Sequence, residues 1–203
     1  ADTEAQRRLP ADLAAELAEA GLFRMLVPKS LGGAEVDVAT LFNRLEQLGR
    51  ADAATGWCVM IGGTTALISA WLPLEHARDG DDYVVSGRWA WGSGSANCSW
   101  LLGGAVIMDG AEMRRLPSGA PDHRMMVMRR HEVELIDTWD ALGMRGTGSG
   151  DLAATNVRVP QGRSVSFITD TPRETGPLYR FAPFGPLATA AMPSASRPNG
   201  AKR

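Results

Sequence analysis

Apolar residues in the first third of the chain recur at the spacing of an α-helix. Leu9, Leu13 and Leu17 stand four residues apart, and a second series follows after a Pro- and Gly-containing loop. Asp37 precedes this second series as a candidate N-cap, and Gly49 follows it as a candidate end. The members of the second series are Val38, Leu41, Phe42, Leu45 and Leu48. The pattern predicts two amphipathic helices, each with one face buried.

The longest apolar stretch of the chain, residues 55–72, predicts a third helix. Asp52 is its candidate N-cap, and the helix is expected to run towards Trp71. Glycines and hydroxyl side chains interrupt the stretch, and no basic flank stands immediately before it. These features favour the buried helix of a soluble protein over a membrane span. Pro73 indicates the start of a short fourth helix.

After residue 79 the pattern changes to short runs of β-formers separated by Gly, Asp and Pro. The predicted strands lie at residues 83–91, 100–108, 125–128, 133–136 and 152–159. Helices followed by strands predict an α+β fold with a helical domain over residues 1–78 and a β-domain over residues 79–182. Residues 183–203 begin as an apolar helix and turn rich in Pro and Ser, which predicts a truncated helix and a disordered tail.

Charge and cysteine content narrow the class of protein. The net charge is −2, with 7 basic and 10 acidic residues up to Arg78 and 14 and 13 after it, so neither part has the basic excess of a nucleic-acid-binding domain. Cys58 and Cys98 are predicted to be small buried hydrophobic residues, because no metal-ligand spacing surrounds them. The N-terminal residues lack the apolar core of a signal peptide, which predicts a cytoplasmic protein.

Two glycine-rich segments are the candidates for chemistry. Residues 89–95 read WAWGSGS, and strand alternation predicts that Trp89 and Trp91 share one face. This segment fits either the edge of a ring-binding site, with a Ser93 hydroxyl beside the indoles, or a core tryptophan pair before a β-turn. Residues 143–150 match neither a Walker nor a Rossmann pattern and predict a loop between strands.

Five segments, in this order, resemble the acyl-CoA dehydrogenase superfamily. They are residues 9–33, which contain LP, AGLF, VP and LGG; residues 51–57, ADAATGW; residues 83–91, YVVSGRWAW; residues 142–149, LGMRGTGS; and residues 156–160, NVRVP. The resemblance implies an N-terminal helical domain and a β-barrel-like middle domain, with the family's C-terminal four-helix bundle absent. It also implies a shortened connection before Tyr83.

The same resemblance implies a flavin site. Trp91 falls where the family has an aromatic residue beside the isoalloxazine, and Ser93, followed by Gly94, falls where a hydroxyl meets the flavin N5 region. The implied cofactor is FAD, with FMN or reduced flavin as alternatives. No metal site and no catalytic residue is predicted, because the family's catalytic carboxylate lies in the bundle.

Three functions remain open at this point. The first is dehydrogenation of an acyl-CoA at its α and β carbons, with hydride transfer to flavin N5. The second is hydroxylation of an aromatic or heterocyclic compound by a monooxygenase that receives reduced flavin from a reductase, towards which residues 93–94 and 146–149 point. The third is a degenerate fragment without activity. The resemblance further implies a homo-oligomer and a flavin reductase or electron-transfer partner.

Overall fold

The computed structural model describes residues 3–72 and 82–180 of the chain. The first range is helical, as predicted. It contains α1 (Thr3–Gln6), α2 (Ala11–Glu19), α3 (Val38–Ala51) and α4 (Ala53–Ala66), with 3-10 turns at Leu22–Arg24, Lys29–Leu31 and Leu67–Ala70. One further short helix, α5 (Pro177–Arg180), follows the strands. The predicted fourth helix at Pro73, the shortened connection before Tyr83 and the tail after residue 182 lie outside the described residues.

Both predicted aspartate caps are present. The Asp37 carboxylate accepts a hydrogen bond from the Thr40 N–H at the start of α3, and the Asp52 carboxylate accepts one from the Thr55 N–H at the start of α4. The prediction that Gly49 ends α3 is wrong, because the helix continues to Ala51. Gly49 is instead the point where α3 and α4 touch. Its missing side chain serves helix packing rather than helix termination.

The helical core lies mainly between α2, α3 and α4. Its most deeply buried members are Leu26, Leu41, Leu45, Val59 and Met60. The segment Ala53–Ala70 is long and apolar enough to cross a membrane by length and composition, and half of it is buried inside the protein. Its remaining surface includes residues that line the cavity described below.

The second range forms small antiparallel sheets. The strands are β1 (Tyr83–Trp89), β2 (Trp100–Val106), β3 (Met108–Asp109), β4 (Glu112–Met113), β5 (His123–Arg129), β6 (Glu134–Ile136), β7 (Asp151–Val159) and β8 (Ser164–Val165). One sheet has the order β1-β7-β6, a second has β2-β5-β8, and β3 and β4 form a hairpin. Helices followed by strands confirm the α+β prediction, although the described strands do not close into the expected barrel.

The glycine-rich loop of residues 143–150 joins the two parts of the molecule. It contains a 3-10 turn, Arg145–Thr147, that packs on α1 and α4. A side chain at Gly146 would come within 2.6 Å of the Thr3 Cβ atom, and one at Gly150 within 2.4 Å of the Ile136 carbonyl oxygen. These contacts explain the run of glycines, because the loop passes against backbone on both sides.

Candidate functional site

A cavity of about 890 Å³ lies between the helices and the sheets. One wall is formed by small residues of α2 and by α4, and the other by the connection from β1 to β2. The end of the cavity towards β8 is lined by Pro160, Gly162 and Arg163. All three site residues predicted from the sequence, Trp91, Ser93 and Gly94, line this cavity together.

Trp91 projects its indole away from the protein core. Its backbone has a φ of +64°, a left-handed conformation that a tryptophan rarely adopts, and the residue is 76% exposed. The prediction that Trp89 and Trp91 share a strand face is wrong. Strand β1 ends at Trp89, whose indole N–H donates to the Gly104 carbonyl oxygen at 2.8 Å. A strained residue with an exposed ring at a cavity edge is a common feature of ligand sites.

Ser93 begins a continuous series of hydrogen bonds that leads from the cavity into the protein. The Trp57 indole N–H donates to Ser93 Oγ at 3.0 Å, and Ser93 Oγ lies 2.7 Å from Ser149 Oγ. Ser149 Oγ lies 2.6 Å from Thr147 Oγ1, which donates to the Met144 carbonyl oxygen at 2.9 Å. We call these five residues the hydroxyl chain. Ser149 and Thr147 are buried, and Ser93 is half-buried at the cavity wall.

Gly92 and Gly94 hold the connection against the glycine-rich loop. The Gly92 N–H donates to the Gly150 carbonyl oxygen and the Gly94 N–H to that of Thr147, both at 2.8 Å. Gly94 has a φ of +70°, and a side chain at Gly92 would come within 2.9 Å of the Leu152 side chain. The two glycines therefore allow the close approach that places Ser93 beside Ser149.

Sequence reasoning missed most of the hydroxyl chain. Trp57, Ser149 and Thr147 were recognised only as parts of motifs, and no spacing rule connects them to Ser93. The available signal was the pair of hydroxyls, Thr147 and Ser149, inside the glycine-rich loop, because functional side chains often lie in loops. A second missed feature is the Trp100 indole near the same cavity. The guanidinium carbon of Arg129 lies 4.8 Å from its ring centroid and that of Arg163 lies 5.6 Å away.

The two cysteines also line the cavity and are free thiols. Cys58 is buried as predicted, whereas Cys98 is only partly buried. Burial, together with smaller contributions from the nearby Cys98 and Asp52, raises the pKa of the Cys58 thiol to about 12. Burial also raises the pKa of Cys98. Since the thiolate is the reactive form, neither cysteine is suited to act as a nucleophile at neutral pH.

We therefore expect the thiol of Cys58 to be unreactive in the folded chain. In the variant Cys98→Ala, which leaves one cysteine, labelling by a thiol reagent at pH 8 should be at least about tenfold slower than in urea. Stability should also fall with pH above the ordinary thiol value, because the unfolded thiol ionises there and the folded thiol does not. Adding Cys58→Ala to the Cys98→Ala variant should remove this contribution to the alkaline loss. Equal labelling rates in the folded and unfolded states would contradict the prediction.

The chain is similar in sequence to several known proteins. Residues 1–76 match the family model "Acyl-CoA dehydrogenase, N-terminal domain". The chain is 30% identical to the flavin-dependent monooxygenase, oxygenase subunit HsaA, of Rhodococcus jostii strain RHA1. The alignment spans 217 residues and covers 92% of this chain and 54% of that protein. It is 28% identical to the FADH(2)-dependent resorcinol hydroxylase, oxygenase component, of Rhizobium sp. strain MTP-10005, over 85% of this chain and 46% of that protein.

A solved structure has the same architecture. The crystal structure of 3-HSA hydroxylase from Rhodococcus sp. RHA1 superposes with a TM-score of 0.82 at 26% identity, covering 94% of this chain and 57% of that chain. The chain thus spans about half the length of the relatives it matches.

The relatives correct one expectation from the sequence. The hypothesis of acyl-CoA dehydrogenation, with acyl-CoA as substrate, is wrong, because the relatives are named as monooxygenases and hydroxylases. The two reactions differ in the flavin they need: a dehydrogenase uses the oxidised ring to accept a hydride, whereas an oxygenase that depends on FADH2 uses the reduced ring. Residues 1–76 thus match the N-terminal domain of acyl-CoA dehydrogenases, and the chain shares its architecture with a solved hydroxylase.

Proposed function

We propose that this chain forms part of the flavin site of an oxygenase component, which hydroxylates an aromatic or heterocyclic compound with reduced flavin supplied by a separate reductase. The observation that carries the proposal is the cavity between helices and sheets, with the exposed Trp91 indole and the Ser93 hydroxyl at its edge. The oxygenase names of the relatives support the same function.

The residues present fit a flavin. The cavity volume lies within the range of small-molecule sites, and its lining is mostly apolar with a few polar groups in fixed positions. A tryptophan indole stacks well on a planar aromatic ring. Gly92 and Gly94 carry no side chains, so a ring can approach the backbone beside Ser93. Trp91, Ser93 and Gly94 are therefore the residues that we propose to contact the flavin.

When bound, the flavin supplies the redox chemistry with dioxygen, and the protein supplies binding and orientation. Trp91 would hold the ring, and the Ser93 hydroxyl would give it a polar partner. The alanines of α2 and the apolar side chains of α4 keep water from the cavity and leave space for a flat substrate. The form of the flavin, FAD or FMN, and a homo-oligomeric state stay predictions, as does a cytoplasmic location.

The central test is flavin binding followed by tryptophan fluorescence. Under anaerobic conditions, reduced FAD or FMN should quench the fluorescence of the chain. Trp91→Phe should lose a larger part of this quenching than Trp139→Phe, since the Trp139 indole donates to the Met144 carbonyl oxygen and does not line the cavity. Trp91→Ala should weaken binding by about two- to tenfold, as expected for the loss of one stacking contact.

Two results would count against the proposal. Equal loss of quenching in the Trp91 and Trp139 variants would remove Trp91 from the site. If the chain binds neither FAD nor FMN, oxidised or reduced, only the hypothesis of a fragment without activity remains. A gain of hydroxylated product in the presence of a flavin reductase, NADH and an aromatic substrate would extend the proposal from binding to activity.

A further inference from the structure

Arg163 is the only charged residue among the described residues that line the cavity. Its side chain is 22% exposed and lies at the end of the cavity towards β8. The rest of the lining is mostly apolar, and a charge acts more strongly in such surroundings than in water. The cavity therefore presents one positive group, at one end, to the molecule that occupies it.

The Arg163 guanidinium makes no hydrogen bond to any residue in the described ranges. Its Nη1 atom is buried without a hydrogen-bond partner. The carboxylate that pairs with it belongs to Glu132, whose Oε2 atom lies 3.6 Å from Nη1, beyond hydrogen-bond distance. That oxygen already accepts the Arg129 N–H at 2.6 Å. Because Nη1 is buried, the donors on Nε and Nη2 are the ones that remain for a ligand.

The backbone and one aromatic ring hold Arg163 at this end of the cavity. Arg163 closes a 3-10 turn, Gln161–Arg163, in which its N–H donates to the Pro160 carbonyl oxygen at 2.8 Å. Its guanidinium carbon lies 5.6 Å from the centroid of the Trp100 ring, which also lines the cavity. This distance is within the range of cation–π interactions, so the ring positions the guanidinium.

The charges around the Trp100 ring do not cancel. The guanidinium carbon of Arg129 lies 4.8 Å from the same centroid, so two cations face the single carboxylate of Glu132. These three groups leave one net positive charge. A partly buried charge of this kind lowers its free energy by pairing with an anion. One net positive charge matches a carboxylate better than a phosphate, which carries close to two negative charges at neutral pH.

We propose that Arg163 binds the carboxylate of the substrate, and that the substrate class of this chain is aromatic carboxylates. The inference names the substrate for the proposed function and rests on it for the reaction. A guanidinium offers paired N–H donors whose spacing fits the two oxygens of a carboxylate. The apolar ring of the same molecule then lies between α2 and α4, where the lining carries no charge.

The test compares the binding of cinnamate and cinnamamide to the full chain by isothermal titration calorimetry at pH 7. The two ligands are planar and nearly equal in size, and they differ in charge. The wild-type chain should bind cinnamate about tenfold more tightly, the effect of hydrogen bonds to a charged group. Arg163→Gln keeps a polar side chain without the charge. It should remove the preference for cinnamate and leave the affinity for cinnamamide unchanged.

Two further variants separate Arg163 from the general charge of the chain. Arg130→Gln is the matched control, because Arg130 donates to the Val133 carbonyl oxygen at 2.9 Å and does not line the cavity. This variant should keep the wild-type preference. Glu132→Gln removes the carboxylate that competes for Arg163 and should raise the preference for cinnamate by about two- to fivefold. If Arg163→Gln fails to fold, Glu132→Gln still tests the inference.

The outcomes distinguish this inference from the proposed function. Equal affinity of the wild-type chain for cinnamate and cinnamamide would overturn the inference, and so would a preference that survives in Arg163→Gln. A second pair, FMN and riboflavin, tests the phosphate of a flavin as the anion. A preference for FMN that is lost in Arg163→Gln, without any preference for cinnamate, would also overturn the inference. Absence of flavin binding would overturn the proposed function, whereas the carboxylate site is measured without flavin and would stand.

Discussion

Replacing Gly56 by alanine is expected to destabilise the chain by about 1–3 kcal/mol, the usual cost of an overpacked contact. Gly56 lies in α4 where this helix touches α3, and a Cβ atom there would come within 2.9 Å of both the Cα and the N atom of Gly49. Backbone atoms cannot rotate away as a flexible side chain can. The two helices must therefore move apart and loosen the core around Leu45 and Val59.

The same replacement at Gly63 provides a matched control on the same helix. A Cβ atom at Gly63 would have the Leu22 carbonyl oxygen as its nearest neighbour, at 3.8 Å, which is an ordinary contact. Gly63→Ala should be neutral or stabilise the chain by up to about 1 kcal/mol, because alanine favours the helix. Urea denaturation of the two variants measures both changes in the free energy of unfolding. Equal stability of the two would mean that α3 and α4 do not pack as closely as the structure shows.

Asp52→Ala is expected to cost about 1–2 kcal/mol of unfolding free energy, near the upper end for an N-cap. The carboxylate accepts from the Thr55 N–H at 2.9 Å and from the Thr55 hydroxyl, and it also accepts from the Thr3 hydroxyl at 3.3 Å. The Asp52 N–H donates to the Leu48 carbonyl oxygen. One residue thus connects the end of α3, the start of α4 and α1, so its loss should loosen the contact of α1 with the glycine-rich loop.

Asp37→Ala is the comparison for this prediction. Asp37 caps α3 in the same way, but its carboxylate is exposed and both of its side-chain hydrogen bonds go to Thr40, within the same helix end. These bonds lower the pKa of Asp37, so its contribution should be present at neutral pH and lost as the pH falls through the lowered value. We expect the smaller loss for Asp37→Ala. A larger loss there than for Asp52→Ala would contradict the connecting role of Asp52.

The helix starts were predictable because an N-cap is a local device. Asp37 and Asp52 each bond to a backbone N–H three residues ahead, and this distance is visible in the sequence. The five predicted strands were also placed within a few residues, since β-formers and breakers alternate clearly after residue 82. The two-residue strands β3, β4 and β8 were not predicted. Gly49 was misjudged because a glycine that ends a helix and a glycine that admits a neighbouring helix look alike until the second helix is in place.

The site residues were proposed from resemblance, and their arrangement could not be derived from periodicity. Strand alternation failed at Trp91 because pairing of β1 with β7 stops at Trp89 opposite Leu152, after which the backbone turns with a positive φ. Ser93 meets Trp57 across 36 residues and Ser149 across 56 residues. No local pattern encodes contacts of that separation.

The sequence by itself determined the helices with their caps, the change to strands and the resemblance to a flavoprotein superfamily, because these rest on local propensity and short motifs. The tertiary structure decided which surfaces meet. It formed the cavity between α2, α4 and the β1–β2 connection, turned the Trp91 indole outwards and brought Ser93, Ser149 and Thr147 into one series of hydrogen bonds. A hydrogen bond needs a donor and an acceptor within about 3 Å of each other, and residues so far apart in the sequence meet at that distance only in the folded chain.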